Sequence, residues 1–340
     1  MCSPAGQPAG PGGQLRAALA AGRFVVTAEI APPRGADPEQ ITRKARGLRG
    51  WVDAANVTDN QGAHARLSSL AGSLLALHAG VEPVMQLTCR DRNRLALQSD
   101  LLGAGALGVP NVLLLTGDHP ASGDHPDAKP VFDLDGVQLT RTARAMRDQG
   151  VLLSGRRIQA PPTWLIGSVE NPFGAPAGVR ARRLAQKVAA GAEFVQTQYV
   201  FDVGLFARWM TEVRDLGITE QCAVIAGVGP VRSQRALEFL RTGVPGLHLP
   251  DPVAERLREA GDRVAEAGIE LCVETIQQLA GIPGVAGVHV MAPGFEHGVP
   301  DILQRAQVGP RYAVLARGDD PPEPPAIPRH PPAHPEGPPC

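Results

Sequence analysis

Eight short apolar runs recur along the chain: "FVVTAEI" (24–30), "DAANV" (53–57), "PVMQL" (83–87), "NVLLLTG" (111–117), "TWLIGSV" (163–169), "FVQTQYV" (194–200), "AVIAGVG" (223–229) and "GVHVMA" (287–292). They are apolar at most positions and do not alternate, which suits strands covered on both faces, as in a parallel sheet. Between most of them lies a helical pattern. The clearest is "GLFARWMTEVRDLG", where Leu205, Phe206, Trp209, Met210, Val213 and Leu216 keep the helical period and Gly217 ends it. Ala236, Leu237, Phe239 and Leu240 form another apolar face, and "LLGAGALGV" and "VAAGAEF" read as helix ends with Gly turning into the next strand. Eight strands alternating with helices over about 300 residues is the arithmetic of an α/β (β/α)8 TIM barrel. A doubly wound Rossmann sheet is the alternative, but it carries a GxGxxG turn after its first strand, and "APPRGAD" cannot serve as one. Two gaps are long. Leu115 to Thr163 holds a loop rich in Gly, Pro, Asp and His, and Gly229 to Gly287 holds at least two extra helices.

The expected organisation is a disordered segment at 1–13, one barrel domain at 14–317 and a Pro-rich disordered tail at 318–340. The stretch "DDPPEPPAIPRHPPAHPEGPPC" holds ten of the 33 prolines, too few apolar groups to offset backbone ordering. A net charge of -1 gives no electrostatic case for nucleic acid or an anionic membrane. No apolar run approaches the ~20 residues of a membrane helix. "MCSPAGQPAGPGGQ" lacks the charged start and apolar core of a signal peptide. The five cysteines are scattered without a CxxC pair, which points to a reducing cytoplasm and away from zinc or a disulfide framework.

In a barrel, chemistry gathers at the C-terminal strand ends. Here those ends carry Glu29; Asn56, Thr58, Asp59 and Asn60; Gln86, Thr88 and Arg90; Thr116, Gly117, Asp118 and His119; Glu170 and Asn171; Gln198 and Tyr199; Gly229 and Pro230; and Met291. Glu29 and Asp118 are the carboxylates best placed to face one cavity. In an apolar pocket Glu29 would hold a proton near neutral pH and act as a general acid; a plain bond to Arg34 or a loop amide is the competing reading. The loop "TGDHPASGDHP" repeats Gly-Asp-His-Pro, yet no His-x-His stands at the first strand, so His119 and His125 read as loop residues rather than metal ligands. Lys187, on a helix facing the barrel top, reads either as a phosphate ligand or as a solvated lysine.

The motifs "FVVTAEIAPPRGAD", "NVTDNQGAHARLSS", "EPVMQLTCRDRNR", "VLLLTGDHP", "GSVENPF", "GAEFVQTQYVFD" and "GVGPVRSQRALEFL" follow one another in order. Together they resemble the methylenetetrahydrofolate reductase family from about Phe24 to Ala306. The "KPVFDLDGVQL" and "FLRTGVPGLHLPD" segments look most like the branch of anaerobic and related bacteria. The resemblance implies a flavin-dependent oxidoreductase on a TIM barrel. It would pass hydride from NAD(P)H through FAD, or FMN as the alternative, to 5,10-methylenetetrahydrofolate, giving 5-methyltetrahydrofolate. It implies Glu29 as proton donor, Asp118 tuning the flavin and orienting the pterin, and Gln198 holding the folate. Flavin contacts would fall on Thr58, Gln86, Thr116, Gly117, Asp118, Asn171 and Lys187. The chain departs from the family pattern at Gln86, often His, at Thr116, often Arg, and near Gln234, where some members stack an aromatic ring on nicotinamide. The implied partners are the folate-type substrate and either a homo-oligomer or an electron-delivering subunit. A flavin-free reductase, and a folate-binding paralogue or subunit without turnover, are the alternatives.

Overall fold

The computed structural model describes residues 13–312 apart from 175, 177 and 245. Of the segment expected to be disordered at 1–13 only Gly13 is described, and the tail at 318–340 lies outside the described residues. The strands are β1 Val25–Ile30, β2 Ala54–Val57, β3 Pro83–Thr88, β4 Asn111–Leu115, β5 Leu165–Glu170, β6 Phe194–Tyr199, β7 Ala223–Val228 and β8 Val285–Val290. They form a closed barrel in sequence order, every neighbour parallel, with β8 pairing back to β1. Closure excludes the open Rossmann sheet, and each expected strand is present within two residues of its expected bounds.

The helices are α1 Gly13–Ala20, α2 Glu39–Leu48, α3 Ser69–His78, α4 Arg94–Ala106, α5 Gly136–Arg144, α6 Arg180–Ala190, α7 Val203–Asp215, α8 Gln234–Thr242, α9 Asp251–Glu259, α10 Val264–Ala280 and α11 Val299–Arg305. The long gap after β4 contains α5, started by a capping box in which the Asp135 carboxylate accepts from Gln138 N–H while the Gln138 side chain accepts from Asp135 N–H. The gap after β7 contains three helices, α8, α9 and α10, which is two beyond the single helix of a regular β–α–β connection, as expected.

Strand alternation sets what points into the barrel. The lower interior is apolar: Val25, Ala54, Val84, Leu113, Leu165, Phe194 and Ile225 cluster with Leu15 and Ala18 of α1, which closes the N-terminal end. The Glu82 carboxylate accepts from the backbone N–H of Gln14 and of Leu15 (3.0 Å), satisfying donors at the start of α1. The Phe194 ring is fully buried in this apolar cluster. Only glycine fits beside it at 167, where a Cβ would lie 2.2 Å from the ring. With Val25 inward, Thr27 and Glu29 also point inward, one and two layers higher.

Truncating Phe194→Ala should cost about 3–5 kcal/mol in urea unfolding. A loss below ~1 kcal/mol would show that the lower barrel does not pack on this ring.

Candidate functional site

Glu29 ends the inward row of β1 opposite Asn56 of β2, and only 5% of its surface is exposed. Desolvation pushes its carboxyl up to about 7, and nearby Glu296 adds to this. A hydrogen bond donated by Gln61 Nε2 (3.0 Å) and the charge of Lys44 pull the other way. The bond to Arg34 weighed from sequence is not made; Arg34 lies 3.8 Å from Asp124 instead. Gln61 belongs to a short 3₁₀ turn, Gln61–Ala63, in the loop after β2. Nothing in the sequence singled it out.

One layer below lies a buried polar network that sequence reasoning missed. Asn56 Nδ2 donates to Gln196 Oε1 (2.5 Å), and Gln196 Nε2 donates back to Asn56 Oδ1 (3.0 Å) and to Thr27 Oγ1 (3.1 Å). Thr27 Oγ1 in turn lies 2.9 Å from His289 Nδ1. All four residues are buried. Burial holds the His289 imidazole neutral, its pKa pushed down to about 3. The available signal was a Gln and a His at inward positions of otherwise apolar strands.

The loops above β2, β3 and β4 are tied together by charge. Asp59, buried, accepts from Thr88 N–H and Oγ1 (2.9 Å each) and from both terminal nitrogens of Arg92 (2.8 and 3.1 Å). Arg90, equally buried, donates to Asp91 (2.7 and 2.8 Å) and to the carbonyls of Asn60 (3.2 Å) and Asp118 (3.5 Å). These strand-end residues are therefore scaffold. Thr116 joins them, its hydroxyl accepting from Gly136 N–H at the start of α5 (3.1 Å). Asn171 does the same work after β5, donating to Gly246 O (2.8 Å) and accepting from Phe173 N–H (3.0 Å).

Against this scaffold other groups stand free. The Thr58 hydroxyl is buried without a hydrogen-bond partner among the described residues. The half-buried Gln86 amide makes no hydrogen bond among the described residues. Asp118 is exposed, and its carboxylate forms no ion pair among the described residues. It follows Gly117, whose φ of 89° favours glycine and brings bare backbone against Thr88. Gln198 stands where the β6–β7 register shifts; its Oε1 accepts from Tyr199 N–H (2.9 Å). Lys187 is committed in part: its ammonium donates to Val169 O and lies 2.7 Å from buried Glu170.

Glu29, Thr58, Gln86, Gly117, Asp118 and Gln198 thus stand at the C-terminal strand ends, and the Lys187 ammonium reaches the end of β5 from α6. Two clefts, of about 830 and 430 Å³, lie at the opposite end around α1 and the strand starts, and take in none of these groups. Among the described residues no cluster of His, Cys, Asp and Glu is placed to hold a metal ion, and no helix is long and apolar enough to cross a membrane.

A closed parallel barrel with a dry carboxyl group and unpartnered polar groups at its mouth is a TIM barrel with a candidate site in the usual place for that fold. Residues 14–307 match the model of the family described as methylenetetrahydrofolate reductase, and the chain belongs to that family. It is 25% identical over 244 residues to a probable methylenetetrahydrofolate reductase (NADPH) of Caenorhabditis elegans, covering 70% of this chain and 34% of that one. To a probable methylenetetrahydrofolate reductase (NADH) of Oryza sativa subsp. japonica it is 26% identical over 307 residues, 85% of this chain and 49% of that one. The chain spans about a third to a half of the length of these two relatives. Against the 5,10-methylenetetrahydrofolate reductase of Pectobacterium carotovorum the figures are 25% over 225 residues, 65% and 69%. Among solved structures, a Clostridium thermocellum protein that binds two copies of 5-methyl-5,6,7,8-tetrahydrofolic acid superposes with a TM-score of 0.60 at 13% identity, covering 84% of this chain and 96% of that one. An F420-dependent secondary alcohol dehydrogenase gives 0.53, also at 13% identity, over 85% and 98%. Both show the fold.

The raised Glu29 value carries a stability consequence. Between about 4.5, the ordinary value, and about 7 the folded state holds a proton that the unfolded state has lost, so stability falls as pH rises through that window. Glu29→Gln removes the effect. The variant should match the parent near pH 4.5 and exceed it at pH 8 by about 3 kcal/mol in urea unfolding. Equal or lower stability at pH 8 would contradict a desolvated carboxylate.

Proposed function

We propose that this protein reduces 5,10-methylenetetrahydrofolate to 5-methyltetrahydrofolate at the barrel mouth, as a flavin-dependent enzyme of the reducing cytoplasm. The observation that carries the reading is Glu29: a carboxyl group dry enough to keep its proton near pH 7, at a strand end. Membership of the family and the names of its relatives support the reaction class. The buried free thiols of Cys89, Cys222 and Cys272, each pushed up to about 12 by desolvation, suit a reducing compartment.

The free groups fit a flavin, FAD or FMN. The orphan Thr58 hydroxyl and the Gln86 amide offer donors and acceptors to a heterocycle, and the turn through Gly117 offers backbone. Lys187 spends two donors on Val169 O and Glu170, leaving the third for a phosphate oxygen. When bound, the flavin supplies the hydride. Asn171 and Thr116 act at one remove, by fixing the loops beside it.

Glu29 delivers its proton to the folate nitrogen that departs as the five-membered ring opens. A pKa near the working pH suits it to that task. The hydrogen bond from Gln61 Nε2 orients the carboxyl and stabilises the anion left behind. Gln198 has its oxygen occupied by Tyr199 N–H, so its amide nitrogen is the end free to hold the pterin, and Asp118 accepts from the other side. The neutral layer of Thr27, Asn56, Gln196 and His289 forms a floor without net charge beneath the substrate.

One observation favours a partner-delivered electron over direct oxidation of NAD(P)H. Gln234, near the position of the family's nicotinamide-stacking ring, is turned away to donate to Leu257 O on α9 (3.0 Å). An electron-delivering subunit, or a second copy, would then complete the system.

Glu29→Gln is expected to bind flavin and accept reduction of it as the parent does, yet lose ~10²-fold or more in methylenetetrahydrofolate reduction, followed as 5-methyltetrahydrofolate formed. Normal turnover would remove Glu29 from the acid role.

A further inference from the structure

Two charges flank Glu29 in an arrangement that the acid role alone does not require. Lys44, on α2, donates to the carbonyl of Ala31 (3.0 Å), two residues beyond Glu29. The same ammonium lies 2.7 Å from Glu296 Oε1. Glu296 opens a short 3₁₀ turn, Glu296–Gly298, which follows β8 and packs on both α2 and β1. It is 5% exposed, and Lys44 is its only ionic partner among the described residues. A pair of this kind, with its carboxylate buried and its ammonium half-buried, adds little stability over well-packed apolar side chains, because the carboxylate must be desolvated. Its place at the β8–β1 seam, beside the one strand end that carries a buried acid, therefore calls for another reason.

We propose that Lys44 and Glu296 are positioning residues for the reaction: Glu296, anchored by Lys44, sets its negative charge against Glu29 and keeps that carboxyl in the proton-bearing form that donation needs. The inference rests on the reading of Glu29 as the acid. Of the two charges Glu296 acts on Glu29 the more strongly, and in the opposite sense to Lys44. The remaining groups around Glu29 are neutral or turned elsewhere. Gln61 donates to it, and Tyr199 on β6 stays protonated by burial and donates to Met291 O (3.0 Å). His289 on β8 is neutral, Arg66 donates to Pro32 O (3.1 Å), and Arg34 faces Asp124. Beside the same turn, Arg232 lies over the Phe295 ring (3.8 Å to its centroid) and His297 packs edge-on to that ring. Among the described residues Lys44 and Glu296 are the full charges that bear on the acid.

The two substitutions have opposite signs. Glu296→Gln removes a repulsion and leaves the Lys44 cation unbalanced, so Glu29 should give up its proton at lower pH. Lys44→Met removes the attraction that favours the Glu29 anion, so Glu29 should hold its proton to higher pH. The measurement is the carboxyl ¹³C titration of Glu29 in protein labelled at glutamate, assigned by its loss in Glu29→Gln and recorded without folate or turnover. The midpoint should fall by about one pH unit in Glu296→Gln and rise in Lys44→Met. Lys44→Arg should restore the parent midpoint. Glu296→Asp, which retracts the carboxylate by one methylene, should lower it in the same direction as Gln, and serves where Glu296→Gln does not fold. Midpoints that stay put, or move the same way in Glu296→Gln and Lys44→Met, would overturn the inference and leave the pair a structural tie. Because the titration needs no catalysis, opposed shifts would uphold the electrostatic control even if Glu29→Gln turned over normally and the acid reading failed.

Discussion

The desolvation of Glu29 is what the rest of the mouth is arranged around. Closure of β8 onto β1 surrounds the end of β1 with strands and the turns that follow them, and water is kept to a small fraction of the carboxyl surface. An isolated buried anion is costly, so the group takes up a proton instead of recruiting a cation. The cost appears as lost stability above neutral pH. It is carried by a barrel whose lower half is apolar, with Phe194 buried in it and α1 sealing it. A site that gives up stability for reactivity is a common trade in enzymes.

The polar groups at the mouth divide into those satisfied by one another and those left over. Asp59, Arg90, Arg92 and Thr116 are consumed in tying together the loops after β2, β3 and β4, and Asn171 in tying the loop after β5 to Gly246. The side chains of Thr58 and Gln86 make no hydrogen bond, and that of Asp118 no ion pair, among the described residues. Buried or half-buried polar groups without partners are disfavoured in folding and recur where a ligand completes them. That contrast, more than the identity of any single residue, is what marks Thr58 and Gln86 as candidates for a ligand and the tied residues as scaffold.

Much of this was legible in the sequence. Parallel strands buried on both faces read as unbroken apolar runs, so all eight strands and their order could be counted, and the strand-end rule brought Glu29 and Asp118 forward. What stayed hidden was pairing across the barrel. Gln61 reaches Glu29 only because of the turn geometry of its loop. Asn56 and Gln196 lie 140 residues apart and meet on opposite strands. Gln196 and His289 sat inside runs read as apolar, because only the inward face distinguishes them from their neighbours. Lys187 was read as a phosphate ligand or a solvated lysine; its partner Glu170 closes the end of β5, a contact that no spacing rule supplies.

The most direct measurement is a visible spectrum of the purified protein, reduced anaerobically in the presence of flavin and then mixed with 5,10-methylenetetrahydrofolate. Return of the oxidised flavin band together with 5-methyltetrahydrofolate is the result this account requires. A protein that takes up neither FAD nor FMN, or a reduced flavin that persists in the presence of the folate, would contradict it.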